Sequence, residues 1–454
     1  MTPESPPLQP LSWEEHPTKE LMRLSWPMAI SMLSYAVMTL VDTLFVGWLG
    51  KAELAATGLG GTANWGILCF SFGLFRGTKV LVSQAMGAKN QTAINGFIGA
   101  SVIMAVALIL PTWLLGWGVA EGIRLIPPDP ATGLLAREYF GIRLLSAPFA
   151  LVFVALREAR YGLGDAASPM RSALLGNGIN IGLDYLFIFV FDWGVSGAAT
   201  ATCLAHMAEC LYLMSVQFKE GFGLRAFGRC DIAKIWQVGA PTGLQFFMEM
   251  GAFALLAGML ARMGDAQMAS HVIALQVIHF SFLPVVALGE AGSVMVGNAI
   301  GAMRWYWVHP LSRTCLRLAF SYNFVCTLVL WTMGQAIATA FTDDPEVISV
   351  TTRLLWVAGF LLLFDAVNII SRSILRGTGD VTVPAFIGIV VAWICTPPLT
   401  WFLGYHLELG ALGGWLGLTL EFAIAGIVLW IRLRKNQWQA AARKMTPALP
   451  TPTK

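Results

Sequence analysis

The stretch LMRLSWPMAISMLSYAVMTLVDTLFVGWLG, Leu21 to Gly50, is an apolar run of membrane-spanning length that carries Pro27 near one end and Asp42 inside it. An ionised carboxylate at hydrocarbon depth costs about 3 kcal/mol or more, so an acid placed there ordinarily faces a polar cavity or exchanges protons during function. Pro27 has no N–H for the helical ladder and crowds the preceding turn, which makes the same helix bendable. At 1.5 Å per residue the two positions lie roughly 22 Å apart, most of the thickness of a bilayer core. A bendable span with a titratable group points to a transporter. The alternative is that Pro27 merely opens the helix and Asp42 snorkels to an interface.

The rest of the chain has the same character. Of 454 residues 56% are hydrophobic and 12% charged, with a mean hydropathy of +0.67. That composition defines an all-α polytopic membrane protein and leaves no soluble domain of useful size. At about 20 residues per span the length accommodates about twelve transmembrane helices. The pattern places them at 22–47, 53–80, 92–117, 136–160, 168–191, 197–218, 234–262, 267–297, 314–341, 347–375, 382–404 and 410–433. The seven cysteines are odd in number and show no CxxC spacing, so neither a metal site nor a disulfide framework is expected.

The formal charge of +3 is too small to imply a nucleic-acid partner. Its distribution is more informative: Lys and Arg gather around Lys19 and Arg23, Lys79 and Lys89, Arg157 to Arg171, Lys219 to Lys234, Arg304 to Arg317, Arg372 and Arg376, and Arg432 to Lys444, while the alternate connections are nearly free of them. By the positive-inside rule both termini are cytoplasmic, in a multi-pass protein of the cell inner (plasma) membrane. Met1 to Thr18 is proline-rich, without the basic start of a signal peptide, and reads as a tail.

Laid on itself with an offset of about 214 residues, the chain matches in order. Pro27 falls on Pro241, GKAELAA (Gly50 to Ala56) on GDAQMAS (Gly264 to Ser270), VSQAMGA (Val82 to Ala88) on VGNAIGA (Val296 to Ala302), and GLGDAASP (Gly162 to Pro169) on GTGDVTVP (Gly377 to Pro384). Ordered matches at nearly constant spacing mark an internal duplication. An even number of spans per repeat preserves orientation, so the expected architecture is two six-helix lobes related by a pseudo-two-fold axis along the membrane normal, with a cleft between them. The expected divisions are a tail 1–20, a first lobe 21–218, an inter-lobe loop 219–233, a second lobe 234–434 and a tail 435–454. The Gly-Asp turns at Asp165 and Asp380 read as tight turns in which Asp caps the next helix.

Asn177, Asn180 and Asp184 recur at steps of three and four and share one helix face, which Thr202 in the next span can join. With Asp42 they would form a first-lobe cluster of carboxylate and amide oxygens suited to a proton or a desolvated Na+. In the second lobe Glu249 follows Gln245 by one turn, and Asp365, Asn368 and Arg372 share a face. The duplication puts Glu249 opposite Tyr35 and Asp42 opposite Leu256, so each lobe has its own acids. His279 and Glu290 are three turns apart and can line one cavity; His206, Glu209 and Glu421 are weaker candidates. Asn and Thr inside spans also serve as plain helix-packing hydrogen bonders. Arg76 and Lys79 read as topology anchors reaching water or headgroups.

WPM with VDTLFVGWLGKAELAATGL (Trp26 to Leu59), VSQAMGAKN (Val82 to Asn90), YGLGDAASP (Tyr161 to Pro169), GNGINIGLDYLFI (Gly176 to Ile188), ASHVIALQ (Ala269 to Gln276) and FDAVNIISRSILRGTGD (Phe364 to Asp380) together resemble the MATE (multidrug and toxic compound extrusion) family of the multidrug/oligosaccharidyl-lipid/polysaccharide superfamily, over residues 20–435. The resemblance implies a secondary active multidrug efflux antiporter, not an enzyme. It would export cationic or amphipathic compounds in exchange for H+ or Na+ by alternating access, with no other cofactor. Asp42, Asn180, Asp184 and Thr202, with a bending helix at Pro27, resemble the ion cluster of the DinF-like branch. Glu249 and Asp365 resemble the acidic pair of the NorM-like branch. The expected partners are small cationic or amphipathic molecules and the bilayer, and two complete lobes make a monomer sufficient. The alternative function is a lipid-linked oligosaccharide or polysaccharide flippase, which should line its cleft with basic residues, whereas the mid-membrane charges read here as mainly acids.

Overall fold

The computed structural model describes residues 11–127, 129–224 and 226–445. Residues 1–10 and 446–454, together with Pro128 and Arg225 in two of the expected connections, lie outside it. The first lobe comprises α1 (Pro17–Gly47), α2 (Lys51–Gly87), α3 (Gln91–Ile123), α4 (Pro130–Leu145), α5 (Ala147–Gly162), α6 (Ala167–Tyr185) and α7 (Gly194–Glu220). The second comprises α8 (Arg229–Ala261), α9 (Asp265–Gly301), α10 (Val308–Thr339), α11 (Pro345–Gly377), α12 (Thr382–Leu399) and α13 (Ala411–Arg434), followed by the short α14 (Gln439–Met445). Among the described residues ten helices are long and apolar enough to cross a membrane, and α4 with α5, bent by 49°, makes an eleventh. The 27-residue α7, diluted by Gly, Ala, Ser and Thr, completes twelve spans.

The duplication is visible element by element. α2 and α9 each contain 37 residues and begin after the glycines Gly50 and Gly264. α6 and α12 both continue into a π-helical turn, Leu186–Val190 and Thr400–His406. Left-handed backbone recurs at matched positions, at Asp192 and Glu408 and at the glycines that follow them, Gly194 (φ 54°) and Gly410 (φ 58°). Glycine adopts that conformation without the Cβ clash other residues meet.

One element breaks the symmetry. α11 is continuous, but its counterpart is split between α4 and α5 at Ser146, because Pro148 removes the N–H that would bond to the Leu144 carbonyl. That carbonyl accepts instead from Trp113 Nε1 of α3 at 3.0 Å.

The lobes meet toward the ends where the basic residues gather. At Gly73 an added Cβ would lie 2.5 Å from Gly243 Cα, and at Gly77 2.8 Å from the Gly239 nitrogen, so α2 and α8 touch backbone to backbone. Gly87 sits as closely on Asn298 of α9. Toward the other end of α2, Gly58 and Gly61 have no neighbour within 4 Å. The cleft is therefore closed at the basic ends and open at the opposite ends.

Several expectations are corrected. Pro27 lies ten residues inside an unbroken α1, so it does not open the helix. α2 runs to Gly87 rather than to 80, which places Lys79 two turns within the helix, where it is 2% exposed, and not at a headgroup. The tails are partly docked: Trp13 packs edge-on against Trp307, Glu14 pairs with Arg304 at 2.7 Å, and Trp438 of the C-terminal segment is buried beside Trp305. Asp165 caps α6 through Ser168, but Asp380 pairs with Arg432 at 2.6 Å instead of capping α12.

Candidate functional site

The polar residues inside the membrane form three groups. In the first lobe α1, α6 and α7 bring the expected cluster together. The Asp42 and Asp184 carboxyl groups are close neighbours. Asn180 donates to Thr202 Oγ1 at 3.4 Å, and Asn177 to Ser34 Oγ of α1 at 2.7 Å. Asp184 and Asn180 are fully buried and Thr202 nearly so. Asp42 Oδ1, Asn180 Oδ1 and both Asp184 oxygens are enclosed without a protein donor. Buried oxygens left without donors are costly unless a proton or cation visits them.

A second layer supports this group. Tyr35 of α1 donates to Glu209 Oε1 at 2.8 Å, and His206 Nδ1 lies 3.0 Å from Glu209 Oε2. His206 and Glu209, weak candidates by sequence, thus connect α1 to α7 directly beside the carboxyl pair. Tyr139 and Arg143 of α4 also fall within electrostatic reach of Asp42 and Asp184. Both escaped the sequence reading, because they sit on the span broken at Ser146 and share no periodic polar face with the others.

In the second lobe Glu249 and Asn368 come together, with Arg372 between them. Arg372 pairs with Glu249 at 3.0 Å and donates to Asn368 Oδ1 at 3.2 Å, while Gln245 donates to Glu249 at 2.7 Å. Asp365 is buried next to Asn368. Glu421, weakly expected, accepts from Thr396 on the neighbouring α12. His279 stands apart: it is exposed, with its ring on Phe282. It is not among the residues that line the pocket at Glu290, contrary to expectation.

Glu290 belongs to a third group, at the lobe boundary. It pairs with Arg76 at 2.9 Å and more closely with Lys79, both from α2, and Lys79 also lies 3.7 Å from Glu158 of α5. Arg157 pairs with Glu158 at 3.0 Å. With Arg372 and the buried Arg376, five basic side chains occupy this level of the molecule. The acids within the spans still outnumber these bases, but the sequence pattern did not reveal that the bases gather at the lobe boundary. Among the described residues no group of three or more His, Cys, Asp or Glu side chains is gathered for a metal ion.

Two parallel six-helix lobes around a one-sided cleft, with unmatched carboxyl oxygens buried inside the membrane-spanning part, define the chain as a polytopic membrane transporter by class. The family model MatE matches residues 27–186 and again 241–402, one match in each lobe. The chain belongs to the MatE family. It is 26% identical over 436 residues to "Probable multidrug resistance protein NorM" of Pseudomonas syringae pv. tomato, covering 90% of this chain and 93% of that one. Among solved structures its fold is similar, at 23% identity and a TM-score of 0.88, to a MOP superfamily transporter from Pyrococcus furiosus described as having a binding pocket of reverse polarity; 94% of this chain and 96% of that one are covered. A MATE structure described as the bent conformation aligns with a TM-score of 0.87 at 23% identity, over 94% of this chain and 97% of that one.

Proposed function

We propose that this chain is an ion-coupled multidrug exporter of the inner membrane. Amphipathic compounds enter the cleft between residues 21–218 and 234–434, and H+ or Na+ drives their release by alternating access. The observation that carries the reading is the Asp42–Asp184 contact. Two ionised carboxylates offer only acceptors and repel each other, so holding them side by side in a buried site calls for a proton on one or a cation between them. Either species enters from the open end of the cleft, reorders the pair, and draws α1 toward α6, with Pro27 the point at which α1 can bend. Asn180 and Thr202 supply the neutral oxygens that Na+ would require. An inward ion gradient favours the loaded form, and each elementary charge moved contributes about 2.3 kcal/mol per 100 mV.

The NorM-type relatives support multidrug export, and the positive-inside pattern supports cytoplasmic termini. One chain with both lobes suffices as a monomer. The test is ethidium transport in vesicles under an imposed pH gradient and, separately, an imposed Na+ gradient. Transport under neither would refute ion coupling, and full transport by Asp42→Asn would remove the carboxylate from the mechanism.

A second reading is favoured by one observation, the gathering of the basic side chains Arg76, Arg157 and Arg372 at the lobe boundary, where bases outnumber the carboxylates paired with them. They suit an anionic cargo such as a lipid-linked saccharide, as in a flippase of the same superfamily. Comparing ethidium with a lipid-linked anion in the same vesicles separates the two.

A further inference from the structure

Between α2, α8, α9 and α11, at the closed end of the cleft, lies a narrow pocket of about 10 Å³, room for about one water-sized species. Its basic lining is Arg76, Lys79 and Arg376, and its one carboxylate, Glu290, is already held between Arg76 and Lys79. Three hydroxyl residues, Thr242, Ser293 and Ser373, complete the polar wall. We propose that this pocket binds a small monovalent anion of halide size.

The charge that requires it is Arg376. Its side chain is 6% exposed, stacks on Phe246 at 5.7 Å, and donates to the neutral Gln245 Oε1 at 3.1 Å. Among the described residues no carboxylate pairs with it. A guanidinium has five N–H donors, and a buried charge with neither counter-ion nor full hydrogen bonding is strongly disfavoured. The neighbourhood does not supply the missing charge. Arg76, Lys79, Arg157, Arg372 and Arg376 face three carboxylates in ion pairs, Glu158, Glu249 and Glu290; counting the buried Asp365 as a fourth still leaves one cation over.

The hydroxyls give the pocket its donors. Ser and Thr inside helices usually bond back to a carbonyl one turn earlier, as Ser83, Ser312 and Thr378 do in this chain. Thr242, Ser293 and Ser373 donate to no other described residue, so their O–H groups are available to a bound acceptor. Water would accept those bonds but would leave the charge unmatched, and a metal cation would be repelled. A halide accepts donors from every side and is the class of anion nearest in size to the space, whereas phosphate, sulfate or a drug carboxylate needs the lobes to part first. The donors come from both lobes, so the bound anion ties them together in this conformation and must leave when they separate.

The test is thermal unfolding of the purified full-length chain in chloride, bromide or gluconate at equal ionic strength. The expected result is a Tm that rises saturably with chloride or bromide and not with gluconate, unchanged when choline replaces sodium. Arg376→Gln should lose the halide response, and Arg376→Lys, which keeps the charge, should retain part of it. Bromide should give an anomalous scattering peak beside Arg376. Equal Tm in chloride and gluconate, an undiminished response in Arg376→Gln, or bromide only at other positions would each overturn the proposal. None of these readouts depends on transport, so they stand apart from the fate of the exporter reading.

Discussion

Arg76 of α2 and Glu290 of α9 meet at 2.9 Å across the boundary between the lobes, and Lys79, one turn along α2, closes on the same carboxylate. The pair lies at the closed end of the cleft, so separating the lobes there means breaking it. Removing one partner of a buried ion pair strands the other and costs about 3 to 5 kcal/mol. Glu290→Gln is therefore expected to lower Tm markedly. A cysteine placed at Ala88, where α2 packs on α9, should become more reactive toward an impermeant maleimide added at the basic ends. Unchanged Tm and labelling would mean that the pair does not hold the lobes together.

The facing carboxyls of Asp42 and Asp184 act as one unit, so their substitutions should not add. Asp42→Asn and Asp184→Asn are each expected to abolish ethidium efflux while leaving expression intact, and the double variant should be no worse than either alone. In a double-mutant cycle on residual transport, additive losses would show that the two groups serve separate sites.

The duplication and the first-lobe cluster were legible because both are local patterns. The repeated Gly-Asp turns and the Asn177, Asn180 and Asp184 face can be read within a few turns of chain. The lobe-boundary network was not, since Lys79 and Glu290 are brought together only by the packing of the two halves. Reading Arg76 and Lys79 as interface anchors failed for a definite reason. The apolar pattern of α2 fades near residue 80, but the helix continues to Gly87 because its polar residues are covered by the other lobe, with Gln84 donating to the Gly377 carbonyl at 3.1 Å. Hydropathy marks where lipid contact ends, not where a helix ends, when protein takes over the burial. Arg143 and Tyr139 stayed hidden because the acids they approach, Asp42 and Asp184, lie on other helices.

The break between α4 and α5 yields a compensated pair of substitutions. Trp113 Nε1 satisfies the Leu144 carbonyl that Pro148 leaves without a donor. Trp113→Phe should cost about 1 kcal/mol, the usual net worth of one hydrogen bond. Pro148→Ala restores an N–H in the helical ladder, so the loss on Trp113→Phe should shrink in that background. Chemical denaturation of the four proteins measures the coupling, and its absence would show that the indole contributes by packing alone.

Asp165, in the turn outside the spans, gives a prediction in pH. Burial raises its carboxyl pKa, but the hydrogen bonds from Ser168 and Arg160 outweigh that and hold it below the ordinary value of 3.8. A carboxylate whose pKa is depressed by folding contributes stability that is fully present above its unfolded value and is lost as pH falls through the folded one. Asp165 both caps α6 and pairs with Arg160 at 2.5 Å. Asn caps a helix as well as Asp does, so Asp165→Asn should lower stability by about 1 kcal/mol near neutral pH through loss of the charge pairing with Arg160. The gap between variant and parent should stay constant down to about pH 5 and narrow below pH 4, as the parent's carboxylate takes up its proton. Thermal unfolding of both proteins from pH 7 to pH 3 measures the gap, and one that widened toward acid would mean that folding favours the protonated form of Asp165.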